Sequence, residues 1–149
     1  MKKLILSLFI LVGSFANAQE IKWITFDEAL AAQKKDPKPI FMDVYTDWCG
    51  PCKLLDKKTF HDKKVVEFIS ANYYPVKFNA EGNSEVNYKG KKFTNPGFVV
   101  GQKGRNSTHD FIQSLKLQGY PTMVIFDPKG EVSNRLVGFY SAEELLPEL

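Results

Sequence analysis

The stretch IFMDVYTDWCGPC occupies residues 40–52, and the rest of the fold can be built outward from it. The apolar run 40–45 is interrupted only by Asp43, which predicts a short strand that is buried on both faces. A helix should follow, because helix-forming residues continue to Lys58 and Pro51 suits a first helical turn. The cysteine pair therefore lies at a strand-to-helix junction, close to a carboxylate that the strand buries.

Capping signals and turns define the elements around this junction. Helices are expected over 25–35, where Thr25 and Glu28 form a capping box, from just after Cys49 to Lys58, over 62–73 and 108–117, and from Ser141 onward. Strands are expected over 40–45, 74–79, 122–126 and 132–139, the last two joined as a hairpin by the turn at 127–130. This order predicts a single α/β domain whose mixed central sheet has helices on both faces.

Residues 82–107 form an insertion between the second core strand and the helix of residues 108–117. The segment is rich in glycine, shows no sustained helical or strand period, and carries five cationic residues against one acidic residue. A structureless loop longer than about 15 residues is usually functional or disordered. Two interpretations remain open: Tyr88, Phe93 and Phe98 could border a substrate groove, or they could fix a solvent-exposed decoration.

Residues 1–18 have the pattern of a secretory signal peptide. Lys2 and Lys3 precede the apolar stretch 4–12, and Ala16-Asn17-Ala18 is a small-x-small cleavage site. The apolar stretch is shorter than the roughly 18 residues that a membrane span requires. We therefore expect cleavage after Ala18, a domain over residues 19–149, a periplasmic or secreted location, and no membrane span in the mature form.

The composition excludes two classes of protein. The chain has 149 residues with 44% hydrophobic and 13% aromatic side chains, which suffices for one core and does not fit a disordered chain. The formal net charge is only +3, and it becomes smaller when the two lysines of the signal peptide are removed. We therefore expect no nucleic-acid partner.

The spacing of Cys49 and Cys52 favours redox chemistry over a structural role. A disulfide across two residues closes so small a loop that it stabilises little. Cys49 should meet the positive end of the following helix, which favours its thiolate, whereas Cys52 should lie further from solvent and stay protonated. Cys49 would then attack a substrate disulfide, and Cys52 would resolve the mixed disulfide. Asp43 is a candidate base for the Cys52 proton, and Lys77, at the matching level of the next strand, could modulate it.

Several motifs resemble the thioredoxin superfamily. Residues 48–52, Trp-Cys-Gly-Pro-Cys, are identical to the thioredoxin active-site motif, and residues 119–122, Gly-Tyr-Pro-Thr, are similar to its cis-proline loop. Asp43 and Lys77 match the buried acid and the neighbouring lysine of thioredoxins. Within the superfamily, residues 47–49, 59–62 and 121–139 look most like the C-terminal domain of the disulfide-interchange reductase DsbD. The long insertion departs from the thioredoxin pattern.

The resemblance implies a thioredoxin fold with a cis peptide bond before Pro121. It also implies a substrate-binding surface made of Trp48, Gly50, Pro51, Tyr120 and Pro121. The Gly-Pro pair between the cysteines is associated with reducing members of the superfamily, so we expect a reductase of disulfides in exported proteins. A membrane thiol-transfer protein would supply the electrons, and neither a cofactor nor a metal is expected.

Two other functions remain open. An oxidase or isomerase would share every residue above and differ in reduction potential. A non-enzymatic module could instead dock a partner through the basic insertion. His61 and His109 are too far apart in sequence for the usual spacing of a zinc site with the cysteines.

Overall fold

The computed structural model describes residues 19–149, so the signal peptide expected over residues 1–18 lies outside the described residues. The helices are α1 (Phe26–Gln33), α2 (Gly50–Lys58), α3 (Lys63–Asn72), α4 (Asp110–Leu115) and α5 (Ala142–Leu145). The strands are β1 (Ile40–Tyr45), β2 (Tyr74–Asn79), β3 (Val86–Tyr88), β4 (Lys91–Phe93), β5 (Thr122–Phe126) and β6 (Val132–Val137). In residues 19–149 no helix is both long enough and apolar enough to cross a membrane.

Four of the strands form one mixed sheet in the order β2-β1-β5-β6. Strand β1 is parallel to β2 and antiparallel to β5, and β5 is antiparallel to β6. The predicted α/β fold with a mixed central sheet is therefore confirmed. Local chemistry also sets the helix starts as expected: Thr25 and Ser141 close capping boxes, and the Asp62 side chain accepts from two amides of α3.

The sheet separates two apolar clusters, and alternate residues of β1 contribute to opposite faces. Met42 and Val44 belong to the cluster that contains Phe26 of α1 and Phe111 of α4. Phe41 belongs to the other cluster, which contains side chains of α2, α3 and α5. Asp43 has the same parity as Phe41, so its carboxyl lies on the face that α2 covers.

Three chain segments meet at one edge of this sheet. Tyr45 at the end of β1 is opposite Asn79 at the end of β2, and the Ala80 amide donates to the Tyr45 carbonyl at 2.8 Å. Val44 is opposite Thr122, the first residue of β5. The loop that leads to the cysteines, the residues after β2 and the residues before β5 therefore come together.

The first part of the insertion is a β-hairpin, so the prediction of an irregular segment was wrong there. Strands β3 and β4 pair antiparallel across a two-residue turn in which Lys89 and Gly90 have φ of 51° and 73°. Positive φ at both central residues is typical of the turns that match strand twist. Phe93 is buried and Tyr88 packs against the apolar cluster that contains Phe26 of α1. The hairpin therefore contributes side chains to the core and is not only a solvent-exposed addition.

The second part of the insertion, residues 95–107, stays irregular and is called the arm below. The Asn95 amide group donates to the carbonyls of Gly82 at 2.9 Å and Ser107 at 2.7 Å, which fixes both ends of the arm. Phe98 is half-buried and Val100 is 86% exposed, and neither lies in a strand.

Helix α4 and strand β6 are shorter than the sequence predicts. Helix α4 is shorter than 108–117 because His109 caps its start and Lys116 ends it in a left-handed conformation with φ of 52°. Strand β6 ends at Val137 because Gly138 has φ of 95°. On α3, Val65, Val66 and Ile69 fill the buried face, and Phe68 is exposed.

Candidate functional site

Cys49 and Cys52 form a disulfide at the start of α2. Cys49 is the N-cap residue, and its sulfur accepts from the Cys52 backbone N–H at 3.2 Å. The N–H groups of a first helical turn lack partners within the helix and carry the positive end of its dipole. The sulfur of Cys49 therefore lies where negative charge is stabilised.

The expected difference in exposure between the two cysteines is not seen. Cys49 is 3% exposed and Cys52 is 5% exposed, so the first is not the more open of the pair. The reason is the capping geometry, because the side chain of Cys49 turns back over the first turn of α2 to reach the Cys52 amide.

Asp43 lies in the interior on the α2 side of β1. It is 1% exposed, and its Oδ1 atom has no hydrogen-bond partner among residues 19–149. Burial raises the pKa of Asp43 to about 7, the attraction of Lys77 acts in the opposite direction, and repulsion from Asp56 adds to the rise. A carboxyl group with this pKa can exchange a proton near neutral pH.

Lys77 is opposite Asp43 in the β1–β2 ladder, as expected from the sequence. Its Nζ atom lies 4.0 Å from Asp43 Oδ2 and makes a direct ion pair with Asp56 Oδ1. Asp56 lies one turn after Cys52 on α2, and sequence reasoning missed it. The i,i+4 spacing of Cys52 and Asp56 was the available signal, because it places both side chains on one face of the helix.

A cleft of about 240 Å³ opens beside this group. Its walls include Cys52, Asp56 and Lys77, together with Tyr45, Thr46, Asp47 and Lys53. Thr46 has a buried hydroxyl with no hydrogen-bond partner among the described residues. The cleft therefore connects solvent to the polar groups around Cys52.

Trp48 is a surface residue and not part of the core. It is 38% exposed, its ring makes an edge-to-face contact with Tyr120 at a centroid distance of 6.2 Å, and its Nε1–H donates to Glu81 Oε2 at 3.0 Å. The Arg105 guanidinium carbon lies 4.3 Å from the centre of the indole. Sequence reasoning missed both Glu81 and Arg105. Glu81 reaches Trp48 because it follows β2, whose end lies beside the end of β1, and the approach of Arg105 depends on the path of the arm.

The remaining predicted site residues lie around the same sheet edge. Gly50 and Pro51 are exposed in the first turn of α2. The peptide bond between Tyr120 and Pro121 is cis, as the resemblance implied. Pro121 is buried, and its carbonyl accepts from the Gly138 N–H at 2.8 Å. The structure thus places Tyr120 beside Trp48 and the cis-proline at the start of β5.

Comparison with known proteins gives one family. Residues 26–149 match the family model described as "Thioredoxin-like domain". The chain is 30% identical over 140 residues to the thiol:disulfide interchange protein DsbD of Vibrio vulnificus (strain CMCP6), covering 91% of this chain and 19% of that protein. The chain spans about a fifth of the length of the curated relatives it matches.

Two solved structures agree with this result. A candidate disulphide-isomerase from Bacteroides thetaiotaomicron is 30% identical, with a TM-score of 0.62 over 89% of this chain and 93% of that one. The oxidised C-terminal domain of Neisseria meningitidis DsbD shares the fold at 20% identity, with a TM-score of 0.57 over 81% of this chain and 86% of that one.

The fold, the disulfide at the start of α2 and these comparisons agree with the resemblance in the sequence. The chain belongs to the thioredoxin-like domain family and is related to DsbD.

Proposed function

We propose that this protein is a reductase of disulfides in exported proteins, with Cys49 as its nucleophile. The observation that carries the proposal is the position of the Cys49 sulfur at the N-cap of α2, where it accepts from the Cys52 N–H. In the reduced protein this position favours the Cys49 thiolate, which is the form that attacks disulfides.

The cycle transfers two electrons to the substrate. The Cys49 thiolate attacks one sulfur of the substrate disulfide, forms a mixed disulfide and releases the other sulfur as a thiolate. Cys52 then gives its proton to the Asp43 carboxylate, and its thiolate attacks the Cys49 sulfur. This step releases the second substrate thiolate and leaves Cys49 and Cys52 as a disulfide. The proton on Asp43 and one from solvent complete the two substrate thiols.

The Gly50-Pro51 pair supports the reducing direction, since the same pair is found in thioredoxin, whose potential is about −270 mV. A reductase in an oxidising compartment must be reduced again after each cycle. Its relationship to DsbD supports a membrane thiol-transfer protein as the electron donor.

The binding surface would be made by Trp48, the exposed first turn of α2 at Gly50 and Pro51, and the Tyr120-Pro121 segment. Trp48 offers an exposed apolar ring beside Tyr120. An extended substrate could pair with the backbone at Tyr120 as an added strand.

An exported location follows from the signal-peptide pattern of residues 1–18. Mass spectrometry of the protein from a periplasmic or culture fraction should give a chain that begins at Gln19. A chain that still begins at Met1 in such a fraction would contradict cleavage.

Two cysteine variants test the catalytic assignment. Cys49→Ser should abolish reduction of insulin disulfides, whereas Cys52→Ala should stall as a mixed disulfide that can be isolated with its substrate. Undiminished activity of Cys49→Ser would refute the assignment of the nucleophile. Failure of the unaltered protein to reduce insulin would instead favour a non-enzymatic binding module.

An isomerase or oxidase is the second candidate, favoured by the similarity to the candidate disulphide-isomerase of Bacteroides thetaiotaomicron. Equilibration of the cysteine pair with glutathione buffers separates the two directions. We expect a potential near that of thioredoxin, and a value well above about −180 mV would contradict the reductase assignment.

A further inference from the structure

The arm places a cation directly on the aromatic ring next to the reactive cysteine. Trp48 immediately precedes Cys49 in the chain, and the Arg105 guanidinium carbon lies 4.3 Å from the centre of its indole. A guanidinium can stack on an aromatic face while its N–H groups stay free at the edge of the plane. Arg105 is exposed, so its guanidinium is accessible to a partner that contacts Trp48.

Hydrogen bonds fix the arm in this position. Glu81 Oε2 accepts from the indole N–H of Trp48 at 3.0 Å and from the backbone N–H of Asn106 at 2.8 Å. One carboxylate therefore holds both the ring and the residue that follows Arg105. The Asn106 side chain also bonds the N–H and the carbonyl of Val99, at 3.0 and 2.8 Å, which closes the arm on itself.

The positive charges of the insertion are not equally available to a partner. In the hairpin, Lys89 pairs with Glu131, and Lys92 pairs with Glu85 at 2.7 Å. By contrast, Lys103 and Arg105 in the arm have no carboxylate within 4.0 Å among the residues that the structure describes. Lys91 of the hairpin also lacks a carboxylate partner among these residues and lies over the Phe93 ring. The arm thus carries two of the three unpaired cations of the insertion, and Arg105 is the one that contacts Trp48.

The nearby carboxylates have other partners. Glu81 accepts from Trp48 and Asn106, as described above. Asp47 accepts from the Asn79 side chain at 3.2 Å. In residues 19–149 neither of them forms an ion pair with Arg105. The guanidinium is therefore held in place by stacking, and its capacity to bind an anion is unused.

We propose that Arg105 is a specificity-determining residue that binds the carboxylate of an Asp or Glu side chain close to the reacting cysteine of a protein partner. The inference rests on the proposed reductase function and names the class of substrate that the site prefers. The planar N–H fork of arginine matches a carboxylate in a bidentate arrangement. A charge at the rim of an interface acts mainly on the association rate and is weakened by salt.

The test uses the reduced, unaltered protein and three disulfide-bonded peptides that differ only in the residue beside the cysteine, which is Glu, Gln or Lys. Second-order rate constants of peptide reduction are measured by rapid mixing. We expect the Glu peptide to react roughly threefold faster than the Gln peptide, because a single partly exposed charge pair contributes little free energy. The Lys peptide should react slowest of the three. In about 0.5 M salt the three rates should converge.

Variants then assign the preference to one side chain. Arg105→Gln should bring the Glu-to-Gln rate ratio close to one, and Arg105→Lys should keep part of it. Lys91→Gln is the matched control, because it removes one positive charge from the hairpin and should leave the ratio unchanged.

The possible outcomes separate the inference from the function on which it rests. Equal rates for the Glu and Gln peptides with the unaltered protein would overturn the role of Arg105, whether or not any variant folds. Retention of the preference in Arg105→Gln, or an equal loss in Lys91→Gln, would overturn it as well. Failure of the unaltered protein to reduce any of the three peptides would overturn the reductase function and this inference with it.

Discussion

The ammonium group of Lys77 lies beside the carboxyl group of Asp43 but is bonded to Asp56. Its Nζ atom is 4.0 Å from Asp43 Oδ2, and its direct ion pair is with Asp56 Oδ1. The cation is thus shared between a buried carboxyl and a half-buried carboxylate, and burial remains the largest influence on Asp43. The pKa of Asp43 consequently stays raised at about 7 even though a lysine is close.

Replacement of Asp43 by Asn should slow the resolution of the mixed disulfide. The proposed base is ionised above its pKa of about 7, so the resolution rate of the unaltered protein should rise as pH increases through that value. Asp43→Asn removes the base, and we expect a rate on the order of 100-fold lower at pH 8, without the inflection near 7. Single-turnover measurements between pH 5 and 9 would show this, and an unchanged pH profile would exclude Asp43 as the base.

The same carboxyl should make the protein less stable as pH rises. Its pKa is about 7 in the folded chain, against 3.8 for an aspartate exposed to water in the unfolded chain. Between these pH values the folded state therefore holds a proton that the unfolded state has lost. The stability that comes from this proton is complete below about pH 4 and is lost as pH rises through 7. The free energy of unfolding of Asp43→Asn minus that of the unaltered protein should therefore increase by about 4 kcal/mol from pH 4 to pH 8.

Urea titrations of both oxidised proteins at the two pH values would measure this difference. Glu148→Gln is a suitable control, since it removes a carboxylate from the exposed C-terminal turn. If the difference between Asp43→Asn and the unaltered protein did not depend on pH, the carboxyl of Asp43 would titrate normally.

Lys77 and Asp56 should shift the inflection of the resolution rate in opposite directions. Lys77 lowers the pKa of Asp43 and Asp56 raises it, so Lys77→Met should move the inflection above 7 and Asp56→Asn should move it below 7. Asp56→Asn also frees the ammonium group to approach Asp43. The inflection is measured as for Asp43→Asn, and shifts of the same sign in both variants would contradict a shared cation.

The parts of the fold that depend on residues close together in the sequence were predictable. The bounds of β1, β2 and β5 follow from short apolar and β-branched runs between turns, and the starts of α1 and α3 follow from the caps at Thr25 and Asp62. The Asp43–Lys77 register followed because both residues lie at the fourth position of adjacent parallel strands.

Contacts that depend on the path of the insertion could not be predicted in this way. The hairpin was missed because strands of three residues give too short an alternation, and the turn at Lys89-Gly90 lacks the usual Asn or Asp. Arg105 is 57 positions from Trp48, so only the folded arm brings it to the ring, whereas Glu81 reaches Trp48 from the residues that follow β2. The buried state of Cys49 depends on one capping bond, for which the sequence offered no separate signal.

The contact between Gly97 and Ser107 offers a way to displace the arm without altering the residues that touch Trp48. A Cβ atom at Gly97 would lie 2.6 Å from Ser107 Oγ and 2.9 Å from Ser107 Cβ, which is too close for either atom. Gly97→Ala should therefore separate the two sides of the arm and weaken the bonds between Asn106 and Val99, at a cost of roughly 1–3 kcal/mol. Hydrogen exchange at the Val99 and Asn106 amides should become faster, and the fluorescence of Trp48 should change.

The double variant Gly97→Ala with Ser107→Gly is the matched control, since it removes the side chain that the new methyl group would meet. It should restore slow exchange at both amides, because the Asn95 bond at residue 107 is made to the backbone carbonyl and survives the change. The reduction potential of the cysteine pair should stay the same in the single variant, since Cys49 and Cys52 bond each other across the first turn of α2, apart from the arm. Unaltered exchange in Gly97→Ala would mean that Gly97 is not held against Ser107. A preference for acidic peptides would then need another origin than a fixed Arg105.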